Sequence, residues 1–314
     1  MNGRLIRLLV VALGCWIFLS GSAGAARGSG GDRLVAVRPE PGGGELVLGT
    51  AAGFRRLHKV PATRFQAYPG QRELSDVAVS ADGRRALALQ VGARPYHELI
   101  EVNLRDGRSH PVSTRNRYGE HPAFLTDGDI VFSSPAVRKP PGSNIARDHP
   151  GGTYLVDPRK GTQRRLFGRQ EIAVSPDGDR FLAGAAAGRD LLLLNRRGHV
   201  LRRFRPRRSH GTYLDEAAFS PDGRGIVFAE RRSRNDDGVL YTAAVDGSRG
   251  RRLTSGPGSA SDPSFSPDGR RVYYIHSGEG SGPGEVWTLP PRRPAAARRV
   301  TRESDFEFPV AIPR

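Results

Sequence analysis

Asp76, His121, Glu171, Glu216 and Asp262 occupy one recurring position: each stands seven residues before the glycine of an Asp-Gly pair. Four carboxylic acids and one imidazole in equivalent places leave three chemistries open. Gathered by the fold, they would form a ring that binds a cation or the basic end of a peptide. The same ring would serve as an acid–base set. Alternatively, each carboxylate accepts backbone N–H groups of the adjoining segment and ties neighbouring units together. His121 breaks the carboxylate pattern and is the best single candidate for a specialised role. What the five can do depends on the elements that place them.

Those elements are repeats. Val77-Ala-Val-Ser-Ala-Asp-Gly83, Pro122-Ala-Phe-Leu-Thr-Asp-Gly128, Ile172-Ala-Val-Ser-Pro-Asp-Gly178, Ala217-Ala-Phe-Ser-Pro-Asp-Gly223 and Pro263-Ser-Phe-Ser-Pro-Asp-Gly269 each join a short apolar run to a turn. Their glycines lie 45, 50, 45 and 46 residues apart, a period that signals a repeat architecture. Proline presets φ, aspartate tolerates the turn, and glycine takes φ > 0 at no steric cost. A second run follows each turn, such as Ile226-Val-Phe or Val272-Tyr-Tyr-Ile, then a third, such as Leu191-Leu-Leu-Leu or Val286-Trp-Thr-Leu. A fourth is basic, then apolar, as in Arg202-Arg-Phe and Arg251-Arg-Leu-Thr. Short β-branched and aromatic runs cut by glycine read as strands. Four antiparallel strands per unit describe the blade of a β-propeller.

The ends complete the ring. Leu34-Val-Ala-Val, Glu45-Leu-Val-Leu and Phe54-Arg-Arg-Leu match strands two, three and four of a unit whose first strand is missing, and Phe308-Pro-Val-Ala-Ile312 matches a first strand alone. Pairing them gives an all-β, six-bladed propeller closed by the C-terminal strand, with few exposed sheet edges. The expected blades span about 32–60 plus 305–312, 76–113, 120–167, 171–205, 215–254 and 261–301, within a single domain of residues 26–314 whose blades share neighbours' surfaces. The five acidic and histidine positions then open the innermost strands and gather at one mouth of the channel, with Phe308 in the sixth place. A long Pro/Gly-rich insertion at 133–152 and two smaller insertions at 231–238 and 277–284 link second to third strands and are expected on one face. Residues 58–75 read as a longer connection between the first two blades.

Ser-Pro-Asp-Gly after a short apolar strand, with Asp262-Pro263 opening one of them, resembles the WD40-like repeat of TolB-type propellers. The resemblance covers about residues 32–314. It leaves no room for the small α/β domain that precedes the propeller in TolB itself, so what it implies is a TolB-like propeller, with membership of a Tol–Pal envelope system left open. The last blade departs from the pattern, with no Ser-Pro-Asp-Gly after Ile312. The resemblance implies a channel mouth that grips peptide segments.

Residues 1–25 read as a secretory signal: Arg4 and Arg7 precede an apolar stretch from Leu8 to Leu19 and a small-residue site at Ala23-Gly-Ala25. The apolar stretch is short for a membrane span, though a retained anchor is the alternative. Cys15 is the one cysteine, so the chain after cleavage has none to form a disulfide. That suits a bacterial periplasm, cell envelope or medium. The formal net charge is +17, or +15 without the two arginines of that segment, and only Lys59, Lys139 and Lys160 are lysines. Arginines spread over every unit suit loose attraction to anionic envelope polymers or lipid. No aromatic residues interleave with them as base stacking requires, so nucleic acid is not an expected partner.

Other chemistries find little support. Gly-x-Ser-x-Gly and Gly-x-x-x-x-Gly-Lys do not occur. His97-Glu98-Leu-Ile-Glu101 lacks the second histidine of the zinc-protease motif, and no two of the eight histidines form a close-spaced ligand pair. No catalytic residue, metal ligand or cofactor is therefore assigned. The expectation is an exported, non-enzymatic and monomeric scaffold that binds a protein or peptide partner through Asp76, His121, Glu171, Glu216 and Asp262. The alternative is a propeller-type lyase or hydrolase acting on carbohydrate or peptide, with the same ring as its acid and histidine site.

Overall fold

A computed structural model describes residues 33–40, 43–50, 52–60, 74–91, 97–112, 120–134, 151–168, 171–184, 190–204, 213–232, 236–278, 284–302 and 305–312. The expected export segment at 1–25 lies outside them, as do most of the 133–152 and 58–75 connections and parts of the 231–238 and 277–284 insertions. The described strands run in chain order. They are β1 Arg33–Glu40, β2 Gly43–Thr50 and β3 Gly53–Val60; β4 Leu74–Val79, β5 Arg85–Val91, β6 His97–Asn103 and β7 Ser109–Pro111; β8 Glu120–Phe124, β9 Ile130–Ser134, β10 Gly152–Asp157 and β11 Thr162–Phe167. They continue as β12 Glu171–Val174, β13 Arg180–Gly184, β14 Leu191–Asn195 and β15 Val200–Phe204; β16 Tyr213–Phe219, β17 Gly225–Arg231, β18 Val239–Ala244 and β19 Arg251–Arg252. The last five are β20 Ser259–Phe265, β21 Val272–Ser277, β22 Glu285–Leu289, β23 Arg298–Arg299 and β24 Glu307–Ile312.

They form six four-stranded antiparallel sheets. Five are consecutive in sequence, and the remaining sheet has the order β24-β1-β2-β3. The first strands neighbour one another in a closed circuit, β4 to β8 to β12 to β16 to β20 to β24 and back to β4. The structure is thus a six-bladed propeller, and the C-terminal strand supplies the innermost strand of the blade that begins at the N-terminal end.

Each blade lies between two others, so its middle strands bury both faces. Along β1, Leu34 and Ala36 pack against Tyr273 and Ile275 of the blade before, while Val35 and Val37 pack against Ala86 and Ile100 of the blade after. This is why the second and third runs are apolar at every position rather than alternately. Six buried clusters result, one in each interface between blades.

The Asp-Gly turns are built as their residues dictate. In the fifth blade the Ser220 hydroxyl donates to Asp222 and accepts the Gly225 N–H at 2.8 Å. Asp222 accepts the Arg224 N–H at 3.0 Å, and Gly223 takes φ 65°. Blades two, four and six repeat this around Ser80, Ser175 and Ser266. The third blade has Leu125 in the serine position and packs it into the interface with the next blade. There Arg196 reaches Asp127 across the blades at 3.3 Å.

The serine hydroxyl first, then the following N–H, holds the carboxyls of Asp82, Asp222 and Asp268 below the usual carboxylate range. A carboxyl lowered in the folded state stabilises the fold above its unfolded value and loses that contribution as pH falls through the lowered value. The contribution of these turns should therefore be constant above about pH 5 and be lost below about pH 4. Urea midpoints at pH 7 and pH 3 check this: the combined Ser80→Ala, Ser220→Ala and Ser266→Ala variant should lose less stability across that interval than the wild type.

Glycine in the turn between third and fourth strands has a second duty. Gly198 has φ 77°, and a Cβ there would stand 2.3 Å from Cβ of Phe167 in the preceding blade. Gly247 meets Phe204 in the same way, with a Cβ 2.5 Å from its ring. Gly198→Ala combines left-handed strain with overpacking and should destabilise the fold by about 2–3 kcal/mol, read as a lower urea midpoint at unchanged slope.

Candidate functional site

The six first strands converge on a central cavity of about 380 Å³. Its walls are largely apolar, with Val79, Phe124, Val174, Phe219 and Phe265 at equivalent heights and Val310 beside them in the composite blade. Asp76, His121, Glu216, Asp262 and Phe308 all line it. The structure thus brings together four of the five sequence-selected residues, with Phe308 in the sixth place. Glu171 holds the equivalent backbone position at the start of β12, opposite Ala183, and its side chain is outside the described set.

A bulge sets the ring. In β4, Ser75 pairs with Leu89 and Ala78 with Leu87, so Asp76 and Val77 together face one residue of β5. His121-Pro122, Asp262-Pro263 and Phe308-Pro309 repeat this two-against-one arrangement. Proline is tolerated there because the bulge leaves its position without a ladder bond to donate. The residue before it turns left-handed: φ is 50° at Asp76, 51° at His121, 50° at Asp262 and 49° at Phe308. Aspartate and histidine accept that region more readily than most residues, whereas phenylalanine there is an outlier. In β12 and β16 the register shift falls instead around Ile172 and Asp215, and Glu216 is not among the residues with positive φ. The ring therefore holds two kinds of position, which the count of carboxylates conceals.

Glu216 has a structural task. Its Oε1 accepts from Arg231 Nη2 at 2.6 Å, and its Oε2 accepts the backbone N–H of Asp262 at 2.7 Å. The Arg231 side chain is 2% exposed and that of Glu216 25%, so one carboxylate both neutralises a buried guanidinium and fastens the fifth blade to the sixth. Sequence reasoning missed Arg231. The available signal was a charged pair, Glu230-Arg231, ending the apolar run Ile226-Val-Phe-Ala. Asp76 and Asp262 each accept instead from the preceding serine hydroxyl, at 3.1 Å from Ser75 and Ser261. His121 Nδ1 lies 3.4 Å from the Ser133 hydroxyl, which itself donates to the Glu120 carbonyl at 3.3 Å. Nearby, the Ser264 hydroxyl donates to the Pro309 carbonyl across the closing interface.

The antiparallel order places the openings of the first strands and the connections between second and third strands at the same end of the disc, with the Asp-Gly turns at the other. The described ends of the 133–152 insertion, Ser134 and Gly152, pair at that end. Among the described residues, no three or more His, Cys, Asp or Glu side chains are grouped so as to hold a metal ion. Among the described residues no helix is long and apolar enough to cross a membrane.

Comparison with known proteins rests on structure alone, since no family model and no curated sequence matches the chain. TolB from Acinetobacter baumannii superposes with a TM-score of 0.67 at 15% identity, over 90% of this chain and 67% of that one. A TolB protein of Agrobacterium tumefaciens gives 0.60 at 16% identity, over 91% of this chain and 100% of that one. Kuenenia stuttgartiensis hydrazine synthase gives 0.51 at 12% identity, over 82% of this chain and 76% of that one. The chain has the fold of the TolB propellers, and that fold also occurs in a protein of different function.

The two kinds of ring position separate in stability. Glu216→Ala removes a partner of a buried guanidinium and should destabilise the protein by about 3 kcal/mol, as breaking a buried pair does. Asp76→Asn keeps a residue that accepts left-handed φ and should shift stability by less than about 0.5 kcal/mol. Urea midpoints of the two variants at pH 7 make the comparison.

Proposed function

We propose that this protein is an exported, non-enzymatic scaffold of the bacterial cell envelope that binds a protein or peptide segment at the channel mouth. The observation that carries the reading is the lip of the cavity. Asp76, His121 and Asp262 present polar groups from strained left-handed positions, beside Phe308 and above an apolar shaft. Strain held at one level of a channel is a mark of function when the surrounding bulges over-determine it. A concave apolar cavity with a few convergent polar groups suits a peptide end: its side chain enters the shaft, and its amino group or a basic side chain meets the aspartates. The same chemistry gives the mouth a preference for cationic segments in a molecule of net charge +17.

Acid–base catalysis is the weaker reading because of where the polar groups are engaged. Glu216 is bonded at both oxygens, and the His121 ring is turned to Ser133. Export rests on residues 1–25, and the protein-binding role on the likeness of fold to TolB together with the mouth itself. A ring closed within one chain supports a monomeric reading.

The test is capture from the producing organism's envelope extract by the wild type and by the double variant Asp76→Asn/Asp262→Asn. Partners held by the wild type should fall at least about tenfold on the folded double variant, the loss expected for two charge-assisted contacts. Undiminished recovery of the same partners would overturn the channel-mouth reading.

A further inference from the structure

A second cavity, of about 550 Å³, lies between the fifth and sixth blades, outside the channel. Arg252 of β19, the loop Thr254–Gly258, Tyr274 and His276 of β21, Trp287 of β22 and the turn at Pro294–Ala297 surround it. Three features mark it as built rather than left over from packing. The Trp287 indole is pinned: its Nε1 donates to Glu285 Oε2 at 2.9 Å, and Glu285 Oε1 accepts from Arg299 at 2.6 Å. Glu285 and Trp287 sit two apart on one strand and so share a face. The His276 ring lies 5.1 Å from the indole at 44°, extending the aromatic surface.

The second feature is the wall. Tyr274 is 3% exposed, and among the described residues no hydrogen-bond partner reaches its hydroxyl. Burial pushes that hydroxyl up to about 12, so it stays protonated and available as a donor. The Tyr274 side chain lines the cavity and its oxygen is not among the buried unsatisfied atoms, so the hydroxyl is open to a ligand there. The third feature is charge. Arg252 is exposed at the rim and oriented by its Nε, which donates to the Thr254 carbonyl at 2.6 Å. The exposed Arg251, Arg298 and Arg299 flank it on the outer strands.

We infer that this groove is a binding site for an acidic saccharide. A fixed indole suits the apolar C–H face of a pyranose. The Tyr274 hydroxyl bonds a ring hydroxyl, and the Arg252 guanidinium takes the carboxylate, for which its planar fork is matched. A volume of about 550 Å³ accommodates two or three sugar rings. The site shares no residue with the channel mouth, so it stands whether or not a peptide binds there.

Two tryptophans occur in the chain, Trp16 and Trp287. Full-length protein carrying Trp16→Phe therefore reports on the groove alone. Its fluorescence should be quenched saturably by a hyaluronan tetrasaccharide, and chitotetraose, which is neutral, should bind about tenfold more weakly. Calorimetry at about 0.15 M salt, where loose surface attraction is screened, gives the affinities. Arg252→Ala should weaken binding about tenfold and Tyr274→Phe about fivefold, the sizes expected for a charged and a neutral hydrogen bond. Tyr274→Phe removes only an unpartnered oxygen and keeps the fold. Equal affinity in wild type, Arg252→Ala and Tyr274→Phe would assign the effect to general surface charge and overturn the site. Equal affinity for both tetrasaccharides would overturn the acidic ligand, and absence of saturable binding to either would overturn the proposal outright.

Discussion

Everything in this molecule depends on pairing one end of the chain with the other. β24 pairs with β1 through Arg33 with Ile312, Leu34 with Ala311 and Val35 with Val310. The pairing matters beyond its hydrogen bonds because the blade it completes has two neighbours. Ile312 belongs to the cluster shared with the second blade, while Phe306 and Ala311 belong to the cluster shared with the sixth. Without β24, both interfaces open together. Further contacts secure the closure. Phe306 is 1% exposed and packs 4.8 Å from Phe54, with Arg38 5.1 Å above its ring. The Ser264 hydroxyl joins the sixth blade to the Pro309 carbonyl. A ring closed by noncovalent strand pairing suits a chain whose one cysteine is Cys15.

Closure also determines the channel. Six first strands brought to a common axis leave room for side chains only where the strand shifts its register, and four of them do so with a left-handed residue followed by one opposed to nothing in the ladder. The identity of the ring residues follows from this backbone as much as from any ligand. Aspartate and histidine are what an ordinary sequence places at such a φ, so Asp76, His121 and Asp262 are explicable by conformation alone. Phe308 is not: a bulky ring held at φ 49° is costly. In the composite blade, packing outweighs local preference: Phe308 is partly buried against the cluster shared with the second blade.

The fold was almost wholly legible because its determinants are local. Ser-x-Asp-Gly carries its own hydrogen bonds within six residues, from Ser220 to Gly225 for example, so reading the motif reads the turn. The missing first strand of the N-terminal blade was legible for the same reason, as a gap in a regular pattern. The site was legible only in outline. The period placed Glu216 beside Asp76 and Asp262, yet could not show that Glu216 is bonded to Arg231 and to the next blade's backbone. Arg231 lies 15 residues on, in the neighbouring strand, and its burial is a product of packing. Trp287 illustrates the same divide. Its alternation with Glu285 was present in the sequence, but the clamp by Arg299 and the vacant space before the indole exist only once the fifth and sixth blades meet.

Charge in this protein is sorted by radius. The outermost strands of five blades carry paired, exposed arginines: Arg55-Arg56, Arg164-Arg165, Arg202-Arg203, Arg251-Arg252 and Arg298-Arg299. The inner ring carries Asp76, Glu216 and Asp262. Exposed charges farther apart than about 8–10 Å are largely screened at physiological salt, so the charges at each radius act largely independently of those at the other. A net charge of +17 predicts neither site by itself. It is the sum of a rim suited to anions and a mouth suited to cations. Because the arginines are divided among the blades rather than massed on one face, the rim gains specificity only where a blade interface adds a shaped cavity. The groove at Trp287 offers such a cavity, where Arg252 lies beside Trp287, His276 and Tyr274.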